Sequence, residues 1–247
     1  MAELYGFIGF PLGHSFLAKY FAEKFASQNI DAEYRNFAIE SIKNLPEILK
    51  NNSNLKGLNV TIPYKQQVMP FLDDIDEAAK RIGAVNVICV SRKGNQTKLT
   101  GHNADVIGFT ESLRPLLKPQ HTKALVLGTG GASKAVIDGL QQLGILTQYV
   151  SRTRREGIIA YDDVTPEMLE EYKLVVNCTP LGMFPKVDDA PDIPYNSLGP
   201  EHLLYDLVYN PEETLFLQKG REQGATTKNG LEMLHLQAEA SWNFWNK

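Results

Sequence analysis

Ala124-Leu125-Val126-Leu127-Gly128-Thr129-Gly130-Gly131-Ala132-Ser133-Lys134-Ala135 reads as a buried strand, a glycine turn and the first turn of a helix. Glycines let the backbone turn tightly and approach a pyrophosphate, and the helix N-terminus offers free N–H groups and the positive end of a dipole. The spacing is Gly-x-Gly-Gly-Ala, with Ser133 in the place of a third glycine. A mere tight connection is the competing reading, and the next strand weighs against it. Gln148-Tyr149-Val150 runs into Ser151-Arg152-Thr153-Arg154-Arg155, roughly 20 residues past the glycines, where an NAD site carries an acid for the ribose 2′-hydroxyl. No acid stands here, and guanidinium forks beside hydroxyls suit a 2′-phosphate. The expected cofactor is NADP, with Gly128, Gly130, Gly131 and Ala132 at the pyrophosphate and Ser151, Arg152, Thr153 and Arg155 at the 2′-phosphate. The motif begins at the midpoint of the 247 residues, so a whole unit of chain precedes it and is expected to bind the reaction partner.

Bulk properties narrow the class. A net charge of −4 argues against nucleic acid or an anionic membrane as the main partner. No apolar run is long enough to span a bilayer. Met1-Ala2-Glu3-Leu4-Tyr5 has no basic leader or signal-like apolar core, and Cys89 and Cys178 each sit in an apolar segment, as small core residues do. The five histidines show no metal-ligand spacing, so no metal is expected. The expectation is a reduced, cytoplasmic enzyme, monomeric or homodimeric, with a small-molecule substrate.

Strand and helix signals alternate along the chain, which implies α/β architecture with mostly parallel sheets. Residues 4–9, 34–37, 56–62 and 84–90 read as strands; residues 18–27, 74–82 and 105–117 read as helices, the last with Pro115 as a kink or end. A turn at Gly94-Asn95 suggests a hairpin. Further strands are expected at 174–177 and 203–206, a helix at 214–223, and a final helix opened by Gly230 with Leu231, Leu234, Ala238 and Trp242 on one face. After Arg155-Glu156-Gly157 the chain enters Ile158-Ile159-Ala160-Tyr161 almost at once, so the usual crossover helix is expected to be missing or shrunken.

Two polar segments in the first half sit where strands end. Asn59-Val60-Thr61-Ile62-Pro63-Tyr64-Lys65 alternates polar and apolar residues, and Gly101-His102-Asn103-Ala104-Asp105 leads into a helix that Asp105 would open favourably as an N-terminal carboxylate. A surface lysine and a helix cap are the plain alternatives for Lys65 and Asp105. Asn86, inside an apolar strand, must find partners.

These segments resemble those of the shikimate dehydrogenase family, and the resemblance runs over nearly the whole chain. Asn59-Val60-Thr61-Ile62-Pro63-Tyr64-Lys65 is similar to Asn-Val-Thr-x-Pro-aromatic-Lys, Gly83-Ala84-Val85-Asn86 to Gly-Ala-Val-Asn, and Gly101-His102-Asn103-Ala104-Asp105 to Gly-x-Asn-Thr-Asp with Ala104 for threonine. Asn177-Cys178-Thr179-Pro180-Leu181-Gly182-Met183 is similar to Asn-Ala-Thr-Pro-x-Gly-Met. Tyr205-Asp206-Leu207-Val208-Tyr209-Asn210-Pro211 and Gly230-Leu231-Glu232-Met233-Leu234-His235-Leu236-Gln237 resemble the closing motifs. The resemblance implies NADPH-dependent reduction of 3-dehydroshikimate to shikimate in a cleft between two α/β domains. It implies catalytic roles for Lys65 and Asp105, substrate contacts from Ser15, Thr61, Asn86, Tyr209 and Gln237, and cofactor contacts from Thr179, Met183 and Gly230. The substrate domain is then expected at 1–103 and 230–247, with the last helix packing back on it, and a Rossmann-like NADP domain at 104–229.

Reducing a ketone puts negative charge on oxygen as hydride arrives, and a nearby ammonium stabilises that charge or supplies the proton. Lys65 fits either role, with Asp105 as its partner. One departure concerns the substrate: His14-Ser15-Phe16-Leu17-Ala18 replaces His-Ser-x-Ser-Pro, so Leu17 and Ala18 stand where the family has serine and proline. Loss of one hydroxyl leaves quinate, or a related polyol acid, as an alternative substrate of the same family. A non-catalytic NADP-binding regulator is the alternative from another class.

Overall fold

The computed structural model describes residues 2–13, 16–94 and 96–247. The chain divides into two compact units, residues 1–104 with 238–247, and residues 105–237. In the first unit the elements run β1 (Glu3–Gly9), α1 (Phe16–Ser27), β2 (Ala32–Ala38), α2 (Leu45–Asn51), β3 (Leu55–Val60), α3 (Tyr64–Gln67), β4 (Asp74–Ile75), α4 (Glu77–Ile82), β5 (Val87–Lys93) and β6 (Gln96–His102). The second unit holds α5 (Asp105–Leu113), β7 (Lys123–Leu127), α6 (Gly131–Gln142), β8 (Leu146–Ser151), β9 (Ile158–Ala160), α7 (Pro166–Glu171), β10 (Leu174–Asn177), β11 (Leu203–Asp206), α8 (Leu215–Glu222) and β12 (Thr226–Lys228). Helix α9 (Leu231–Trp245) begins in the second unit and ends in the first.

The first sheet has the order β2-β1-β3-β5-β6-β4. It is mixed rather than mostly parallel: β1 pairs in parallel with β2 and β3, while β5 is antiparallel to β3 and β6. The β5–β6 hairpin accounts for the reversal, since a short turn can join only antiparallel strands. One face carries Leu55, Leu58, Val60, Val85 and Ile88 with α2 residues Leu45 and Ile48. The other is covered by an aromatic layer from α1 and α9: Phe21 stacks on Tyr34 at 4.8 Å, and Trp245 donates its indole N–H to the Ile88 carbonyl at 3.1 Å. Leu17 lies in this layer, 6 % exposed, beside Phe21 and Phe25. Packing therefore accounts for an apolar residue there.

The second sheet is parallel throughout, in the order β12-β11-β10-β7-β8-β9. Its central strands are apolar on both faces, as helices on both sides require. Val126, Val176 and Tyr205 pack with Phe109, Val136 and Met233 on one face; Leu125, Val150 and Val175 pack with Leu169 and Phe216 on the other. No helix forms between β8 and β9, and residues 152–157 bridge them with a reverse turn in which Arg155 and Ile158 exchange backbone hydrogen bonds at 3.0 Å.

Three expectations shift. The helix expected from residue 74 starts at Glu77, because Asp76 caps it by accepting from the Ala79 N–H at 2.7 Å while Asp74 and Ile75 pair with β6. Asn86 precedes β5 instead of lying within it. The buried side of α9 carries Met233, Gln237, Ala238 and Ser241, and Leu231 is 39 % exposed. The compact units divide within α9, at residue 238, and α5 packs on the first turns of that helix: a Cβ on Gly108 would stand 2.5 Å from the Met233 carbonyl.

Two buried histidines tie loops of the second unit. His121 accepts from the Lys118 N–H at 3.0 Å on Nδ1 and donates from Nε2 to the Glu201 carbonyl at 3.1 Å. His202 accepts from the Gly199 N–H at 3.0 Å and donates to the Leu169 carbonyl at 2.8 Å. The donor at each Nδ1 favours the neutral ring, although His202 Nδ1 also lies 3.3 Å from the Gly199 carbonyl, and burial lowers both pKa values below 6.5. The unfolded chain takes up these protons near pH 6.5, the folded chain only at lower pH, so stability falls as pH drops below about 6.5. We expect the melting temperature to decline through that range, by roughly 2–4 °C per kcal/mol lost. His202→Gln should flatten the decline; an equal slope in wild type and variant would count against it.

Candidate active site

In the first unit, two backbone hydrogen bonds gather three of the expected residues. The Val60 N–H donates to the Asn86 carbonyl, and the Val85 N–H to the Lys65 carbonyl, each at 2.8 Å. The first sets Thr61, the residue after β3, beside Asn86; the second ties α3 and its half-buried Lys65 to the same turn. Asn86 is 3 % exposed, and its Oδ1 accepts from the Ala104 N–H at 2.6 Å. Among the described residues neither Asn86 Nδ2 nor Thr61 Oγ1 has a protein partner. A polar ligand can therefore take up both groups. Asn103, which no site reading singled out, donates from Nδ2 to the Ala84 carbonyl at 2.9 Å and so fixes the strand end that leads to Asp105.

In the second unit, Asp105 opens α5 and is 8 % exposed. Gly108, one turn later on the same face, meets α9 at Met233 and Gln237, which places Gln237 along the helix side that Asp105 begins. Tyr209, 40 % exposed, follows Val208, whose carbonyl accepts from the Gly230 N–H at 3.1 Å. Gly230 itself lies against the Leu207 carbonyl, where a Cβ would stand at 2.2 Å, so its glycine is demanded by packing.

The glycine turn after β7 has two kinds of glycine. Gly128 has φ +100° and a Cβ there would come within 2.8 Å of Thr179 Cγ2, so the fold itself requires it. At Gly130 and Gly131 a Cβ would meet nothing within 4 Å. Open space above the N-terminus of α6 is what a bound pyrophosphate needs. Ser133 closes the turn from within, donating to the Gly130 carbonyl at 2.7 Å, and is fully buried where a third glycine would pack. Ala132, partly buried, follows in the same first turn.

Ser151 ends β8, and Arg152, Thr153 and Arg155 are exposed beyond it. Arg154 differs: its guanidinium is bidentate on Asp163, whose Oδ2 also accepts from the Ala160 N–H at 2.8 Å. That pair pins the turn that replaces the crossover helix, leaving Arg152 and Arg155 with no ion-pair partner among the described residues. Burial lies behind the raised pKa of Tyr161, pushed up to about 12, with Arg152 nearby pulling it down. Thr179 is bonded to Asn177 through its N–H at 3.0 Å and its hydroxyl at 2.7 Å, and Met183, 47 % exposed, follows in the same loop. Ser15 lies outside the described residues. No group of three or more His, Cys, Asp or Glu that could hold a metal occurs among the described residues, and no described helix is long and apolar enough to cross a membrane.

Residues 7–88 match the family model described as the shikimate dehydrogenase substrate binding domain. The chain is 36 % identical over 265 residues to a shikimate dehydrogenase (NADP(+)) from Desulforamulus reducens, covering 98 % of this chain and 89 % of the relative. It is 38 % identical over 255 residues to the same enzyme from Clostridium beijerinckii, covering 99 % and 92 %. Among solved structures it superposes with a TM-score of 0.84 on shikimate 5-dehydrogenase from Thermus thermophilus in complex with NADP(H) and shikimate, at 30 % identity over 98 % of this chain and 93 % of that one.

The two arginines without partners make a direct test. Losing a charge-assisted hydrogen bond costs roughly 1.5–3 kcal/mol, so Arg152→Ala should raise the KM for NADPH about 10- to 100-fold while leaving that for NADH unchanged. Equal KM changes for the two nucleotides would refute a 2′-phosphate role.

Proposed function

The chain belongs to the shikimate dehydrogenase family, and from that membership we infer that it reduces 3-dehydroshikimate to shikimate with NADPH, using Lys65 at the ketone oxygen. It is an oxidoreductase acting on a CH–OH group, with NADP as its cofactor. The observation that supports this division of labour most is the pair of unpartnered groups, Asn86 Nδ2 and Thr61 Oγ1, held beside Lys65 by backbone hydrogen bonds. A ring bearing hydroxyls and a ketone matches such a set.

When bound, NADPH supplies the hydride. Lys65 meets the oxygen that gains charge and either donates the proton or stabilises the anion electrostatically. Asp105 favours the charged lysine and accepts from a substrate hydroxyl. Thr61, Asn86 and Gln237 bind hydroxyls and fix the ring's orientation, and Ser15 and Tyr209 take the carboxylate end. Gly128, Gly130, Gly131 and Ala132 admit the pyrophosphate, Ser151, Arg152, Thr153 and Arg155 take the 2′-phosphate, and Thr179, Met183 and Gly230 border the nicotinamide. The free thiols Cys89 and Cys178 fit a reducing compartment, the cytoplasm.

Leu17 removes a hydroxyl that the family offers the carboxylate, which is why quinate is the rival substrate. NADP⁺ reduction with each acid decides: we expect kcat/KM for shikimate to exceed that for quinate by about tenfold or more. A preference for quinate would reverse the assignment. Lys65→Ala should lower kcat by roughly 10²- to 10⁴-fold with little change in melting temperature. Turnover within a few-fold of wild type would remove Lys65 from the mechanism.

A further inference from the structure

Asp206 ends β11 after three apolar or aromatic residues, and none of it is exposed. A carboxylate in that position must be held by hydrogen bonds. Its Oδ1 accepts from Asn177 Nδ2 and from the Val208 N–H, both at 3.0 Å, and its Oδ2 accepts from the Thr214 hydroxyl at 2.6 Å. The donors lie on separate segments. Asn177 ends β10 and in turn holds Thr179 by its N–H and hydroxyl. Val208 precedes Tyr209, and the Asn210 carbonyl two residues on accepts from the Phe184 N–H at 3.1 Å. Thr214 caps α8, accepting from the Leu217 N–H at 3.4 Å. One buried carboxylate thus fixes residues 177–184, residues 207–211 and the start of α8.

We propose that ionised Asp206 is the positioning residue for hydride transfer, holding the segments of Thr179, Met183 and Tyr209 in register, and that its protonation loosens them. The proposal rests on the reading above, in which those segments receive the nicotinamide and the substrate. All three partners donate to the ionised carboxylate, and two of them, the Asn177 and Val208 N–H groups, can do nothing else. A proton on Oδ1 faces two N–H donors that cannot accept and breaks one of their bonds; a proton on Oδ2 turns the Thr214 bond round, takes the Thr214 hydroxyl away as a donor, and leaves Oδ1 a neutral, weaker acceptor for Asn177 and Val208. Burial raises the pKa of Asp206 to about 6, against the pull of Thr214, Val208 and Asn177. The titratable groups facing it are Cys178 and Tyr195, both pushed well up, first by burial and then by the Asp206 charge, so both stay neutral near pH 6. No Lys or Arg pairs with it among the described residues.

The test uses the full chain and shikimate oxidation with NADP⁺ from about pH 5 to about pH 9. Wild-type kcat should fall on the acid side with a midpoint near 6. Asp206→Asn should abolish that limb and lower kcat roughly 10- to 100-fold, with the dissociation constant for NADPH, read by its fluorescence, moving less than about threefold. Thr214→Val keeps the carboxylate but removes a donor, so it should move the midpoint upward and lower kcat several-fold, and Thr214→Ser should restore both. Wild-type kcat in Asp206→Asn, an acid limb that persists there, or an unmoved midpoint in Thr214→Val would overturn the proposal; the Thr214 pair decides if Asp206→Asn does not fold. Absence of shikimate turnover by the wild type would instead overturn the functional reading. Amide exchange then still judges the clamp: corrected for intrinsic rates, residues 178–184 and 207–211 should exchange faster in Asp206→Asn or Thr214→Val, and unchanged protection would refute it.

Discussion

A polar side chain that ends a buried strand has to hydrogen-bond, and in this chain it does so to the backbone that follows. Asn177 accepts from Thr179 N–H and Asp206 from Val208 N–H, two residues on in each case, so β10 and β11 both end in a side-chain-closed turn. Asn86 accepts from Ala104 N–H, and Asn103 donates to the Ala84 carbonyl, binding the ends of neighbouring segments in the first unit. Helices and strands satisfy their own amides; the segments past their ends do not. Buried amides and one carboxylate supply what is missing, and the residues expected to do chemistry hang from the loops they fix. The same constraint governs the two histidines, whose buried rings close loops among residues 118–121, 169 and 199–202.

Charge is allotted in the same manner. Of the arginines after β8, Arg154 is consumed by Asp163 in holding a turn where other folds of this type place a helix. Arg152 and Arg155 have no ion-pair partner among the described residues and can meet an anion. The glycines after β7 divide likewise. Gly128 answers to the fold's own contacts, whereas at Gly130 and Gly131 a Cβ would meet no described atom within 4 Å.

Much of the second unit was legible in advance. Continuous apolar runs such as Ala124-Leu125-Val126-Leu127 admit only strands covered on both faces, and the short interval from Arg155 to Ile158 left no length for a crossover helix. The first unit is less legible in the sequence. Its hairpin turns the sheet mixed, and Asp76, an N-cap with a strand immediately before it, looked like part of a helix because Glu77, Ala78 and Ala79 follow. Leu231 has core spacing and is exposed, because the buried side of α9 is set by what α5, β3 and β5 present to it. Asp206 carries its own signal in the sequence: a charge directly after Leu203-Leu204-Tyr205 must be buried and therefore satisfied.

The residue order alone determined which chemistry the chain can hold: a glycine turn at a helix start, arginines in place of an acid, a lysine and an aspartate at element ends. Those are properties of residue type and spacing, which local geometry translates directly. Which of the arginines is spent on structure, which asparagine keeps a donor open, and which glycine is open to a ligand were decided only by tertiary structure. Each depends on a partner far along the chain, Asp163 for Arg154, Ala104 for Asn86 and Thr179 for Gly128, and no local pattern records where a distant segment will return.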